Sequence, residues 1–333
     1  MKTATKMLRS LTCASALLAA VLPAAALDGN REDVRQFMQE MLRKHGFEEA
    51  WLAGVIDEAE IQPRIIELMS RPAEQVMPWH AYRDHFLTEE RIAAGVEFWT
   101  AHRARLAEVE QSTGVAQHVI VGILGVETFF GRITGRFRVV DALATIAFDY
   151  PPRSKYFRKE LEEFLLLARE GHVDVGSALG SYAGAMGSPQ FMPSSYRAFA
   201  VDGDGDSRRD LWGSWDDVIA SVANYLAKHG WRAGEPVAAP ASRWFPRADS
   251  LVAGGLTPDT TVKSLRDRGL SFDTSLDGKA PALFISVAGD QGPELRAGFH
   301  NFGVITRYNR SVLYALAVQE LGSRIEALLP PAP

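Results

Sequence analysis

The sequence predicts a mainly helical protein, placed in the α+β class by one small β-containing insertion. Three features predict it. Apolar residues recur at helical spacing through most of the chain. One long apolar run, residues 119–131, carries a single acid and no proline. Between about residues 230 and 292 the composition shifts to prolines, glycines and short β-prone runs. With 333 residues, 47% hydrophobic and 23% charged, the chain can bury one large core or two to three small ones. The formal net charge of −5 carries no basic stripe and argues against nucleic acid as a partner.

Taken in order, the first 26 residues read as an export signal. Lys2, Lys6 and Arg9 form a basic start, Leu11 to Pro23 is apolar, and Ala24-Ala25-Ala26 offers a small-residue cleavage site. Removing the segment takes the formal charge from −5 to −8. The only cysteine, Cys13, sits near the start of the apolar part, whereas a lipid-bearing cysteine would close it. The expectation is a soluble exported protein with a cleavable signal peptide, no lipid anchor and no disulfide.

From Asp28 to Arg105 the pattern is helical. Val34, Phe37, Met38 and Met41 share one face, and Phe47 to Ile56 forms a second amphipathic segment. Met77 to Asp84 reads as a turn rich in aromatic and polar groups. Thr88 is the expected N-cap of the next helix, with Arg91 where a capping-box acid would stand.

The apolar run Val119 to Gly131 predicts a helix buried on every side, with Glu127 inside it. A buried carboxyl finds a partner or stays protonated, because burial disfavours its charged form. Held neutral near pH 7 it can serve as a general acid. The bland alternative is a structural Glu tied to a backbone amide or an arginine. Gly131 to Gly135 marks a loop. Asp141 to Thr145 resumes a helix, with Asp141 as its N-cap. Lys155 to Arg169 is a further helix with Leu161, Phe164, Leu165 and Ala168 on one face. Residues 180–193 are dense in small residues and turn formers, suiting a functional loop or a plain packing turn.

Asp202, Asp204 and Asp206 stand at alternate positions, as at the start of an EF-hand loop. The carbonyl of Arg208 would fill the seventh position. Ser207 replaces the usual glycine and Gly213 the usual glutamate, so closure falls to Asp216 or Asp217, ahead of a helix over Val218 to Lys228. Three acids so close repel one another unless a cation neutralises them, and calcium is the expected ion, the competing reading being a solvated acidic turn. The β-prone runs Thr260-Thr261-Val262 and Ala282 to Val287 follow, and the helical pattern returns at Arg310 to Val318.

The chain has no His-Glu-x-x-His motif, no Walker loop and no Gly-x-Ser-x-Gly elbow. A lone acid among aromatics and amides suits glycoside cleavage. That chemistry ordinarily uses two carboxylates, and nothing marks Asp141 or Asp149 as the second. One acid suffices if the sugar's own C6 hydroxyl attacks C1.

Six segments resemble the B-type lytic murein transglycosylases: Gly125 to Thr128, Asp141 to Thr145, Ser181 to Gly187, Gln190 to Tyr196, Ser221 to Leu226 and Thr306 to Ser311. They span nearly the whole mature chain, in order. The resemblance implies a lysozyme-like helical core that cleaves the MurNAc-β-1,4-GlcNAc bond of peptidoglycan. It assigns Glu127 as the acid/base and Ser181 as a hydroxyl in the subsite of the reacting MurNAc. Gln190, Tyr308, Asn309, Tyr82, Tyr225 and Tyr314 line the cleft, and Arg153 faces peptide or lactyl carboxylates. Pro152 stands where the family has a second arginine, and Ser188-Pro189 replaces an aromatic-glycine pair. It also implies a calcium loop of Asp202, Asp204, Asp206 and Arg208 closed by Asp217, with no organic cofactor.

The expected organisation is a signal peptide (1–26), a helical domain (28–105 plus 311–330), a lysozyme-like core (106–229 plus 293–310) and a small β-containing domain (230–292). Expected partners of this monomer are glycan strands and cell-wall synthesis or remodelling proteins. The competing readings are a hydrolytic muramidase and a non-catalytic, calcium-dependent peptidoglycan-binding protein.

Overall fold

The computed structural model describes residues 24–70, 77–243 and 255–331. Residues 1–23, which hold most of the expected signal peptide and Cys13, lie outside them. Of the proposed cleavage site, Ala25–Ala26 forms strand β1 and pairs antiparallel with β2 (Glu60–Ile61). No helix among the described residues is long and apolar enough to cross a membrane.

The first part is helical: α1 (Glu32–His45), α2 (Glu49–Glu58), α3 (Pro63–Ser70), α4 (Trp79–Phe86), α5 (Glu89–Ala101) and α6 (Arg103–Thr113). The Thr88 hydroxyl caps α5 by accepting from the Arg91 amide at 3.2 Å, as its place before the helix predicts. Met77 to Asp84 is not the expected turn. Pro78 stands at the N-cap of α4, and Trp79 and Tyr82, three residues apart, are both buried. The helical spacing of these two aromatics outweighs the polar residues between them.

Next come α7 (Gln117–Thr128), the short pair β3 (Phe137–Arg138) and β4 (Leu179–Gly180), α8 (Val139–Asp149), a 3-10 turn (Pro151–Arg153), α9 (Ser154–Arg169), α10 (Pro193–Phe199) and α11 (Trp215–Lys228). Asp141 is not an N-cap. It lies in the first turn of α8, buried, and accepts from the Glu60 amide at 2.9 Å. Thr145, one helical turn on, accepts from the Gln62 amide at 2.9 Å, so this face of α8 holds the backbone of β2.

A five-stranded antiparallel sheet follows in the order β6-β8-β9-β5-β7, with β5 (Ala238–Arg243), β6 (Thr260–Thr261), β7 (Leu270–Phe272), β8 (Pro281–Gly289) and β9 (Gly292–Phe299). Strand β8 is apolar without alternation because both its faces are covered. Leu283, Ile285 and Val287 join the main helical core, while Ala282 and Phe284 join a smaller core with α12 (Val262–Asp267). The sheet runs through β9 to Phe299, past the expected boundary at 292. Residues 300–308 then form α13 (His300–Tyr308), ahead of α14 (Val312–Ala327).

Helix α14 lies antiparallel along α7 at backbone contact. A Cβ on Gly122 would overlap the Val318 carbonyl oxygen, and one on Gly322 would overlap that of His118. Glycine is what allows this approach. Because α14 also packs against α4 and α5, the main core runs across the expected divisions at 105 and 311.

Candidate active site

Glu127 sits in the last turn of α7. The helix stops at Thr128 because Phe129, Phe130 and Gly131 all take positive φ, near 51°, 55° and 80°. Two successive bulky residues in the left-handed region are strained. The guanidiniums of Arg91 and Arg132 lie over the Phe129 ring, 4.7 and 4.8 Å from its centre, and hold it there. The chain thus turns sharply one residue after the acid and leaves Glu127 partly exposed between buried Val126 and Thr128.

The antiparallel register of α14 brings Tyr314 opposite Glu127, and its hydroxyl donates to Glu127 Oε1 at 2.6 Å. Burial pushes the Glu127 carboxyl up to about 7, against the opposing pull of this hydrogen bond. The end of α7 adds to the effect, since a helix C-terminus disfavours a negative charge. Burial, with Glu127 as neighbour, holds the hydroxyls of Tyr314 and Tyr308 well above the usual range, so both stay neutral. Tyr82 is buried and near enough to raise Tyr314 further.

The alternative of a structural acid fits other residues here. Asp141, Glu160 and Asp217 are the buried acids of the described chain, and each accepts at least one backbone amide. Among the described residues Glu127 meets neither an amide nor an arginine, only a phenol. No second carboxylate contributes to its shift. Asp149 is engaged by Arg31 at 2.6 Å.

The loop 180–191 is fastened to this centre at two points. The Thr128 hydroxyl donates to the Ser188 carbonyl at 2.8 Å, and the Tyr308 hydroxyl to that of Pro189 at 2.7 Å. Ser188 and Pro189 are both buried, so the segment that departs from the family pattern serves as backbone anchor. Ser181 Oγ accepts from the amides of Ala183 and Ala185 at 3.2 and 3.1 Å, which leaves its proton to donate outward. Gln190, at φ 51°, gives its amide protons to the carbonyls of Thr134 and Gly187 at 3.0 and 2.9 Å. What it presents is therefore its oxygen, an acceptor.

The remaining expected residues are spread more widely. Tyr225 packs edge-on to Tyr308, 4.8 Å between ring centres, but its hydroxyl is engaged by the Arg307 carbonyl at 2.7 Å. It supports the tyrosine row more than it faces substrate. Asn309 is exposed at the end of α13. Arg153 is exposed, its guanidinium over Tyr156 and Phe157, at the rim of a hollow of about 430 Å³ shared with Lys155 and Lys159. No contact joins it to Glu127 among the described residues. The residue whose part went unassigned in the sequence is Thr128; a hydroxyl residue directly after the acid and three residues before a glycine was the available signal, and in the structure it is buried and accepts the Gly131 amide at 3.1 Å.

In the acidic loop, carboxylate oxygens of Asp202, Asp204 and Asp217 converge within 4.8 Å of one another. Asp217 is buried, accepts from the amides of Gly203 and Asp210 at 2.6 Å each, and is raised by burial and by Asp204. Asp216 turns away to Arg105, 3.4 Å distant. Asp206 is outside the convergent group and accepts from the Arg208 amide at 2.7 Å. Ser207, at the sixth position, takes the left-handed conformation (φ 70°) that glycine usually provides there. All-oxygen donors with excess negative charge suit a hard cation such as calcium.

Replacing Tyr314 with Phe removes the one group that lowers the Glu127 carboxyl. The alkaline limb of the pH–rate profile should move upward, with the fold intact. A limb that stays in place, or moves down, would exclude this pairing.

The chain matches the model of the transglycosylase SLT domain over residues 29–323. It is 39% identical over 305 residues to membrane-bound lytic murein transglycosylase B of Escherichia coli K12, covering 89% of this chain and 83% of that protein. It resembles the solved lytic transglycosylase SltB1 of Pseudomonas aeruginosa, with 48% identity, coverage of 89% and 98%, and a TM-score of 0.86. A structure of the Escherichia coli lytic transglycosylase Slt35 in complex with calcium matches with 38% identity, coverage of 91% and 96%, and a TM-score of 0.83.

Proposed function

The chain belongs to the transglycosylase SLT domain family and is a lytic transglycosylase of peptidoglycan, and from that premise we propose that Glu127 alone supplies its acid/base chemistry. In its protonated form Glu127 gives its proton to the oxygen linking MurNAc C1 to GlcNAc as that bond breaks. The resulting carboxylate then takes the proton of the MurNAc C6 hydroxyl, whose oxygen bonds to C1. The product carries a 1,6-anhydroMurNAc end, no water is consumed, and Glu127 ends as it began. The Ser181 proton and the Gln190 oxygen orient the sugar, and positioning of this kind contributes a large part of the rate. Tyr82, Tyr308, Tyr314 and Asn309 complete the substrate groove, with Tyr225 packed behind Tyr308 as its support and Arg153 as a more distant contact for peptide or lactyl carboxylates.

One observation carries this reading: among the described residues the partly exposed Glu127 carboxyl is paired only with the Tyr314 hydroxyl, at 2.6 Å, and with no arginine, backbone amide or second carboxylate; burial, which pushes it up to about 7, agrees. A hydrolytic muramidase with water as nucleophile would need a base or nucleophile on the opposite face of the sugar. Mass spectrometry of digested sacculi decides. Anhydro ends, one water lighter than reducing ends, are expected; reducing MurNAc ends alone would overturn the proposal.

The acidic loop is read as a structural calcium site held by Asp202, Asp204, Asp206 and Asp217 with the Arg208 carbonyl; the family and the oxygen donor set support it. Bound calcium would neutralise the converging carboxylates. Chelation is therefore expected to lower the melting midpoint and added calcium to restore it, since binding to the folded state alone stabilises it. An unchanged midpoint would remove the ion from this account.

Export to the periplasm with cleavage after Ala26, no lipid anchor, a monomeric state and the division into helical, catalytic and β-containing units belong to the same proposal. Sequencing the mature N-terminus should read Leu27 first; an uncut or acylated start would refute the export part.

A further inference from the structure

We infer that Arg105 is the residue that sets the geometry of the cation loop and thereby raises its affinity for calcium, an inference that rests on the calcium reading above. Arg105 stands on α6, far from the loop in sequence, and its side chain is mostly buried. Its Nη2 donates to the Gly203 carbonyl at 2.8 Å, between Asp202 and Asp204. Its Nε lies 3.4 Å from Asp216 Oδ1, the residue just before the closing acid. One planar guanidinium therefore grips both arms of the loop.

The grip reaches the ligands through Gly203. The carbonyl of that residue takes the arginine while its amide donates to Asp217 Oδ1 at 2.6 Å. The arms already touch: a Cβ on Gly203 would overlap the Asp216 carbonyl oxygen and meet Arg105 Nη2 at 2.8 Å. Arg105 Nε is buried and makes no hydrogen bond. A slightly tighter loop would engage it, so closure around a cation satisfies a donor that is otherwise orphaned.

A cation beside a cation site would ordinarily repel the ion. Here the guanidinium charge is met within the loop by Asp216, 3.4 Å from Nε, which offsets its field there while the hydrogen bond to Gly203 remains; Glu108, at 3.0 Å on the exposed outer side, is screened by solvent and adds little. Ordering the loop beforehand is then the larger effect, as ligand sites gain affinity when their geometry is fixed in advance. Lysine, with a single point of charge, cannot span Gly203 and Asp216 together.

The test is a calorimetric titration of calcium into the chelator-stripped full chain, with melting followed in chelator. Wild type should bind calcium. Arg105→Gln and Arg105→Lys should each bind at least tenfold more weakly and melt lower in chelator, while Glu108→Gln, which loses only the outer ion pair, should bind as wild type does. Should Arg105→Gln prove too unstable to titrate, Arg105→Lys carries the comparison. Unchanged or tighter binding by the arginine variants overturns the role of Arg105 and leaves the calcium reading standing. No binding by wild type overturns both.

Discussion

Glu127→Gln is expected to abolish glycan cleavage and, above neutral pH, to make the protein more stable. A general acid or base contributes on the order of 10²–10⁴ in rate, and here one carboxyl serves both steps, so the loss should lie at or beyond the top of that range. Glutamine keeps the shape and can still accept from Tyr314, so sacculus binding should survive. The stability effect follows from the direction of the pKa. The folded protein holds the carboxyl near 7, above its ordinary value of 4.5. Below pH 4.5 both folded and unfolded chains are protonated and Glu127 costs nothing. As pH rises toward 7 the unfolded chain ionises while the folded one keeps its proton, so folding grows less favourable; above 7 the full penalty is present. At about 1.4 kcal/mol per unit, that penalty is at most about 3.5 kcal/mol, reduced by the partial exposure of the group. Melting Glu127→Gln and wild type in parallel should give equal midpoints at pH 4 and a higher midpoint for the variant at pH 8. An inactive variant with no gain at pH 8 would keep the acid but remove the raised pKa from its explanation.

How the sequence announced this site, and where it fell silent, has a physical pattern. Glu127 was legible because an acid in an apolar helix is costly whatever surrounds it, so the run 119–126 alone marks it as exceptional. The acidic loop was legible for a related reason, since alternating carboxylates repel. Spacing alone left its closing acid open between Asp216 and Asp217, which are chemically alike, and only the resemblance favoured Asp217; the path of the chain into α11 turns Asp217 inward and Asp216 out to Arg105. Asp141 misled because an acid at the start of an apolar helix ordinarily caps it; its actual partner, Glu60, lies 81 residues away and leaves no local trace. Helix α4 was missed because its polar residues are exposed or reach across to the sheet, with Arg83 pairing Asp290 at 2.7 Å, so its apolar face shows only in Trp79 and Tyr82. The pairing of Glu127 with Tyr314, 187 residues apart, is a property of helix packing and invisible to any window of sequence.

That pairing depends on glycine, and Gly322→Ala should expose the dependence. Gly322 of α14 faces His118 of α7, and one turn along Gly122 of α7 faces Val318 of α14. These two crossings fix an antiparallel register in which Tyr314 falls opposite Glu127. A methyl group at 322 meets the backbone carbonyl of His118, which cannot swing aside as a side chain can, so the helices must part. Alanine is the better helix former by about 0.8–1 kcal/mol, yet overpacking a core contact costs about 1–3 kcal/mol and more where backbone is struck. Net destabilisation of about 2 kcal/mol is expected, read as a drop in the melting midpoint. Parting the helices also lengthens the 2.6 Å bond from Tyr314 to Glu127, so the surviving enzyme should lose rate and show its alkaline limb displaced upward, in the direction expected for Tyr314→Phe. Gly54→Ala is the matching control. That glycine is exposed in the middle of α2 with nothing within 4 Å of an added Cβ, and the same substitution there should stabilise the fold. If both variants gain stability, the backbone contact between α7 and α14 does not exist as described, and the register that joins the tyrosine to the acid loses its cause.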